Sequence, residues 1–439
     1  MTESARQRRR RRLAVAGALL ATVAATATVL VLQRGGGGQE PDGETPPEAT
    51  EWERSWRAEE GFDVRSGQLT TLWATSELLA PVGRDAVLAL DPSTGEPLWT
   101  FETPVDAGAI CAASSGVNAA GLAAVAFEDA EHSGVCAELA IVDTADGQLR
   151  WRQRLVDTAG LTEPGETVED PVSWVGITLA DDWVGASVTP SAGTSVPYSY
   201  QRLDLADGAR LPVPWPPEGC RGHSWAPSVE HTAVSYNCGE TTDEQRNENN
   251  LQTVFDSATG EELWTRPVSE LGGRAVEVLG SDPLTLLIDG EATTFDPSGG
   301  IRTRKPAGGH FLHPELAGDT ALESEFDEEG RSHLRGHDLT SGELGWHHDY
   351  PGTPDAAFEL GDGRLLVMHQ GGELISLDLA DGAQTPVGRL PADFDHALGY
   401  ALTDTTLYLA VRVEALDPTV AVDAYPLPSA LAGTVGDTT

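Results

Sequence analysis

The chain has 439 residues, room for one large all-β domain or two to three ordinary ones. Acidic residues outnumber basic ones 69 to 28, for a formal charge of −41. Such a surface repels nucleic acid and anionic lipid, which excludes both as partners of the main domain.

The charge is unevenly placed. Arg6 and the run Arg8 to Arg12 precede an uncharged stretch, Leu13 to Leu32 (LAVAGALLATVAATATVLVL), and Arg34 follows it. At about 1.5 Å of rise per residue this stretch spans a hydrocarbon core of roughly 30 Å. Basic flanks stay in the cytoplasm, so residues 1–12 are expected to be a cytoplasmic tail and residues 13–32 a transmembrane helix, with the bulk of the chain exported. The rival reading is a cleaved export signal with small residues at Ala25 and Ala27. The apolar run continues past that site into Val-Leu-Val-Leu, which favours the uncleaved anchor. Residues 33–50 (QRGGGGQEPDGETPPEAT) have no apolar face to bury and read as a flexible tether.

From there one pattern recurs: alternating apolar residues, Asp-x-x-(Thr/Ser/Asp)-Gly, and often Trp four residues after the glycine. Complete copies comprise Asp91, Gly95 and Trp99; Asp143, Gly147 and Trp151; Asp256, Gly260 and Trp264; and Asp338, Gly342 and Trp346. Copies without the tryptophan lead with Asp204, Asp296 and Asp378, and the second of these carries Gly299 where the others have Thr, Ser or Asp. Each part has a physical job. The carboxylate accepts backbone amides two or three residues on and closes a turn. The glycine supplies the positive φ of a tight hairpin. The tryptophan brings a large apolar area with one N–H to satisfy, suited to a seam between sheets. A lone hairpin is marginal in water, but these recur at intervals of about 40 residues, or longer in the first half, as blades of a propeller do.

The Asp-x-x-Thr-Gly-x-x-x-Trp repeats resemble those of the PQQ-like β-propeller family, which includes quinoprotein alcohol dehydrogenases and a periplasmic assembly scaffold of bacterial outer membranes. The resemblance covers roughly Trp52 to Pro428. It implies that each motif joins the two outer strands of a blade, with the tryptophan docked on the next blade. The family also favours Ala two residues before the Asp, and here Ala89 alone fits.

The fold expected is therefore all-β: one β-propeller of four-stranded blades over residues 51–428, preceded by the transmembrane helix and followed by a short tail, 429–439. Seven motifs suggest seven blades. Strand-like segments at Tyr400 to Leu416 and from Val420, with a lone strand in Glu51 to Ala58 (EWERSWRA), suggest an eighth that mixes N- and C-terminal strands and leaves no open edge.

The four cysteines, Cys111, Cys136, Cys220 and Cys238, lie in an exported region where thiols oxidise. Sequence alone allows three pairings; the repeat places the first two in one blade and the last two in another, so two local disulfides are expected. The quinoprotein enzymes of the family use a vicinal cysteine pair over the quinone, a calcium ion and an aspartate base. No adjacent cysteines or calcium-ligand constellation occur here, so no cofactor and no enzyme of that type are expected. His310, His313, His333, His337, His347 and His348 cluster in sequence, but residues three apart on a strand face opposite ways, so they read as surface or turn histidines. The acidic stretches Glu128-Asp129 with Glu131, 242–244 and 327–329 read as solvated surface charge. The expected function is a non-enzymatic binding or cell-envelope assembly module with a protein partner, the loop 241–250 being its longest candidate contact. Two alternatives are a quinoprotein-type dehydrogenase and a sensor of a small ligand in the central channel.

Overall fold

The computed structural model describes residues 50–58, 69–132, 134–156, 173–190, 199–213, 216–238, 250–281, 283–306, 310–311, 320–326, 332–338, 341, 344–350, 354–361, 363–369, 371–391, 397–412, 420–429 and 431. The proposed membrane helix, most of the tether and Gly342 lie outside them. Among the described residues no helix is long and apolar enough to cross a membrane.

Alternating, β-branched-rich segments separated by tight turns form eight four-stranded antiparallel sheets, the arrangement of a β-propeller. Sheet 1 is Leu69–Ala74, Leu79–Gly83, Ala86–Leu90 and Pro97–Glu102; sheet 2 is Ile110–Ala113, Leu122–Glu128, Cys136–Asp143 and Gln148–Arg154. Sheet 3 is Ser173–Leu179, Trp183–Pro190, Ser199–Asp204 and Arg210–Leu211; sheet 4 is Cys220–Pro227, His231–Cys238, Leu251–Asp256 and Glu262–Pro267. Sheet 5 is Ala275–Ser281, Leu284–Ile288, Glu291–Phe295 and Ile301–Pro306; sheet 6 is His310–Phe311, Thr320–Phe326, Ser332–Asp338 and Leu344–Tyr350. Sheet 7 is Pro354–Gly361, Arg364–His369, Glu373–Asp378 and Gln384–Arg389. Sheet 8 takes three strands from the C-terminal end, Ala397–Leu402, Thr406–Arg412 and Val420–Pro426, and its fourth, Trp56–Ala58, from the other end of the chain. The first strand of sheet 1 adjoins the first strands of sheets 2 and 8, which sets the first strands innermost.

The apolar core is divided seam by seam. One cluster joins sheets 1 and 2 around Trp73, Phe101 and Phe127, another joins sheets 2 and 3 around Leu139 and Val184, and a third joins sheets 7 and 8 around Phe358 and Tyr425. No sheet buries its faces alone, so stacking supplies the stability that single hairpins lack.

The repeat does what its residues dictate. In all seven turns the aspartate Oδ1 accepts a backbone amide two or three residues on, from Ser93, Ala145, Ala206, Thr259, Ser298, Ser341 and Ala380 at 2.6–3.0 Å. Trp99 lies over Gly147 and donates its indole N–H to Thr144 O (3.0 Å); Trp151 lies over Gly208 and donates to Leu205 O (2.7 Å); Trp346 lies over Gly382 and donates to Leu379 O (2.8 Å). The acceptor is each time the residue after the turn aspartate of the next sheet.

Two of the seams that depart from the pattern are locked by other residues. Trp56, outside any complete motif, covers Gly95 and donates to Pro92 O (3.2 Å), so the outer strand of sheet 8 docks on sheet 1 as the others do. Sheet 3 has no motif tryptophan. There Arg202, buried and stacked 5.4 Å from the Trp183 ring, sends its guanidinium to Pro212 O (2.7 Å) and to Ala258 O in the turn of sheet 4. A planar, multi-donor cation can replace an indole at such a seam.

The segment EWERSWRA is not one strand. Its first half lies on sheet 7: Thr50 O accepts Arg389 N (3.0 Å), Trp52 N donates to Arg389 O (2.8 Å), and the Trp52 indole donates to Val387 O (3.2 Å). The bare Gly388 admits that ring. Its second half crosses to sheet 8, where Arg57 grips Asp423 through two bonds of 2.6 and 2.7 Å and Arg54 adds a third at 3.0 Å. The Asp423 side chain is 1 % exposed.

Asp423→Asn would leave two arginines at the closure without their carboxylate. It is expected to lower stability by about 3 kcal/mol in urea unfolding. Gly95 (φ 74°) and Gly290 (φ 78°) separate two effects, since a Cβ at Gly95 falls 2.6 Å from the Trp56 ring and one at Gly290 meets nothing within 4 Å. Gly290→Ala is expected to cost about 1 kcal/mol and Gly95→Ala roughly 3 kcal/mol. Equal losses in the two variants would show that the docked ring gives way freely.

Candidate binding surfaces

In an antiparallel four-stranded meander, connections between first and second and between third and fourth strands share one end of the propeller. Those between second and third strands, and those between sheets, share the other. The first end carries the Asp-Gly turns. The strands that flank 59–68, 157–172, 191–198, 212–219, 239–250 and 413–419 meet those connections at the second end. Those that flank 114–121 and 312–319 meet them at the turn end.

The long-connection end of sheets 1 and 2 is braced by charge. Arg84 pairs with Glu128 (2.7 Å), and Asp129 accepts both His132 Nδ1 (2.8 Å) and Arg154. Glu138 takes Arg154 (3.3 Å) and Arg152 (3.0 Å), and Arg152 reaches Asp106 (2.6 Å). The hydrogen bond to Asp106 raises the Arg152 guanidinium further above its ordinary value. Glu128 and Asp129 are only 7 % and 8 % exposed. This corrects their reading as solvated surface charge: the arginine partners, Arg84 in a turn of sheet 1 and Arg154 on the last strand of sheet 2, offset the cost of burial. Segments 242–244 and 327–329 lie outside the described residues.

Both disulfides are local. Cys111–Cys136 lies within sheet 2 and Cys220–Cys238 joins register partners on the first two strands of sheet 4. Of the candidate loop 241–250, Asn250 is described: it is buried, and its Oδ1 accepts Cys238 N at 3.1 Å.

The histidine cluster does not converge. His313 lies outside the described residues, and His310 sits on the short first strand of sheet 6. His348 Nε2 contacts Asp381 O (3.1 Å) at the seam with sheet 7, while the His333 and His347 rings lie 5.0 Å apart. His333 is 8 % exposed, so the surface reading fails for it. Among the described residues no group of three or more His, Cys, Asp or Glu is placed to hold a metal ion. Near the inner strands, Arg274 donates to Asn237, which contacts His223 Nδ1 (3.2 Å) at a bulge in the first strand of sheet 4.

The end bearing the tight turns holds a cleft of about 400 Å³ between sheets 4 and 5, floored by Trp264, Leu284 and Phe295 and edged by Glu230, Asp296 and Arg302. Sequence reasoning missed it. The signal was the displaced glycine: the turn of sheet 5 closes with Gly299 N on Asp296 O and Asp296 N on Gly300 O, one residue tighter than Gly95 N on Asp91 O and Asp91 N on Glu96 O.

The turn carboxylates make acid stability predictable. The Ser93 hydroxyl holds Asp91 below its ordinary value, the Ala145 amide does so at Asp143, and the Ser298 hydroxyl at Asp296. A lowered folded value means stability fully present above the unfolded value, near 3.9, and lost as pH falls through the folded one. Thermal stability is therefore expected to drop below about pH 4, and the Asp91→Asn, Asp143→Asn, Asp296→Asn triple variant to show a flatter acid limb.

Comparisons with known proteins agree with this geometry. The family model described as "Outer membrane protein assembly factor BamB" matches residues 48–210 and 247–394. No curated protein matches the chain significantly. Among solved structures, BamB from Moraxella catarrhalis aligns with 15% identity and a TM-score of 0.48, over 86% of this chain and 98% of that one. Quinohemoprotein alcohol dehydrogenase from Comamonas testosteroni aligns with 12% identity and a TM-score of 0.51, over 86% and 76%. Sqt1 from Saccharomyces cerevisiae aligns with 8% identity and a TM-score of 0.51, over 87% and 100%. At such identities the likeness to the last two shows the fold alone. With the family model matched over most of the chain and the aspartate of each of the seven turns accepting a backbone amide, the chain belongs to the PQQ-like β-propeller repeat family of the outer membrane assembly factor BamB.

Proposed function

We propose that this protein is a non-enzymatic propeller held outside the cell by an N-terminal membrane anchor, and that it presents its connecting loops to a protein or cell-envelope partner as an assembly scaffold. The observation that carries the reading is that the motif chemistry is used up by architecture. The aspartates close turns, the tryptophans and Arg202 lock seams, and all four cysteines staple single sheets. What this chemistry does not use is the set of long connections whose flanking strands end on one side, and loops on a rigid scaffold offer recognition surface. The assembly-factor description of the matching family supports the same reading.

The anchor, residues 13–32, rests on length, absence of charge and basic flanks. The acidity of the folded part would keep it off an anionic membrane surface, with the tether as spacer.

The dehydrogenase-like fold is the ground for a second reading. The residues present do not fit a quinone of that enzyme class: the disulfides span 25 and 18 residues of sequence, and neither joins neighbouring cysteines as the enzymes' vicinal pair does. No step through a quinone is therefore assigned.

Chemical crosslinking in intact cells, followed by mass spectrometry, is expected to recover a reproducible envelope protein joined to residues at the long-connection end or the seam cleft. Recovery of no reproducible partner would count against the scaffold reading.

A further inference from the structure

The seam between sheets 4 and 5 differs from the other docked-tryptophan seams in a way that creates a site. Trp56, Trp99, Trp151 and Trp346 each give their indole N–H to the carbonyl following the turn aspartate. Trp264 makes no such bond. The turn at Asp296–Gly300 is one residue shorter, and a Cβ at Gly299 would meet the Trp264 ring as closely, at 2.6 Å, but through Cγ, Cδ2 and Cδ1 instead of the six-membered edge seen over Gly95 and Gly147. Three consequences share one place. The indole N–H makes no bond among the described residues. The ring leans on Phe295 with centroids 5.0 Å apart. Beside the shorter turn lies the cleft of about 400 Å³, with Pro283 and Pro297 in its walls and Leu263 at its mouth, 42 % exposed. His231 Nδ1, in the same lining, is buried without a hydrogen-bond partner.

We infer that this cleft binds an extended, proline-containing, basic peptide segment of a partner protein. The inference rests on the scaffold reading and gives it a partner chemistry. An aromatic-lined groove takes polyproline II segments because their rings stack flat on aromatic faces and their carbonyls, free of internal hydrogen bonds, accept from a groove donor. Trp264 supplies that donor, with Phe295 beside it. Charge selects the sign. Two carboxylates, Glu230 and Asp296, face one guanidinium, Arg302, at the edge of the cleft, and the whole chain stands at −41. A segment with arginine or lysine beside its prolines is therefore drawn in. The chain's own tether, residues 33–50, contains prolines but is acidic, which disfavours it as the occupant.

The test is titration of the full chain with a fluorescein-labelled peptide of alternating prolines and leucines flanked by arginines, followed by anisotropy. Saturable binding is expected. Trp264→Phe keeps the ring and removes the N–H, and since that N–H makes no internal bond, stability should hold while affinity falls about fivefold. Inserting Thr between Ser298 and Gly299 restores the longer turn and should close the cleft, abolishing binding in a chain that still unfolds cooperatively. A peptide with the sequence of residues 39–50 should not bind. The proposal is overturned by no binding, by equal binding of a proline-free peptide of the same charge, by equal binding of the 39–50 peptide, or by affinity unchanged in both variants. If the peptide fails while crosslinking still recovers an envelope partner, the cleft assignment falls and the scaffold reading stands.

Discussion

The structure depends on one contact repeated around a ring: a flat side chain from the outer strand of one sheet laid over the turn of the next, with its N–H given to a carbonyl of that turn. The contact joins two requirements that otherwise compete. A large ring must leave water to contribute, and its polar hydrogen must not be stranded in doing so. The turn glycine makes the approach possible because any side chain there would occupy the ring's place, and the turn aspartate fixes the carbonyl by holding the backbone closed. Each turn thus serves its own sheet and its neighbour at once.

Arg202 shows that the constraint is on the interaction and not on the residue type. Its guanidinium is planar, rests against Trp183 and bonds the turn of sheet 4. Burial pulls its pKa down from the ordinary arginine value, and the surrounding carbonyls compensate the loss of water. The same logic explains the braced end of sheets 1 and 2, where Glu128 and Asp129 are buried because each faces an arginine, Arg84 from a tight turn of sheet 1 and Arg154 from the last strand of sheet 2. An acidic protein has carboxylates to spare; it buries those that find a cation.

Much of the fold was legible because a turn that must close on itself needs its aspartate and glycine next to each other in sequence. Seven turns, their spacing and the shared eighth sheet were readable on that basis. What escaped depended on long-range placement. That Trp56 docks like a motif tryptophan follows from its strand pairing with residues 422–424, far away in sequence. That EWERSWRA divides between two sheets follows from Gly388 lying bare on sheet 7. The burial of Glu128, Asp129 and His333 depended on neighbours that local polarity does not reveal. The cleft at sheets 4 and 5 is half visible in the sequence: the misplaced Gly299 stands out there, but its effect lies across the seam, on a tryptophan of another sheet.

The closure has a consequence in time. The strand at Trp56–Ala58 is made among the first residues of the domain, and its partner at Val420–Pro426 among the last. Until that partner exists, the early strand has no ladder of its own and the growing stack keeps an unpaired edge at each end. Ring closure is therefore a late event of high sequence separation, slow by its loop-closure entropy. A chain stalled or clipped before residue 420 would not be a smaller propeller but an open arc with two adhesive sides.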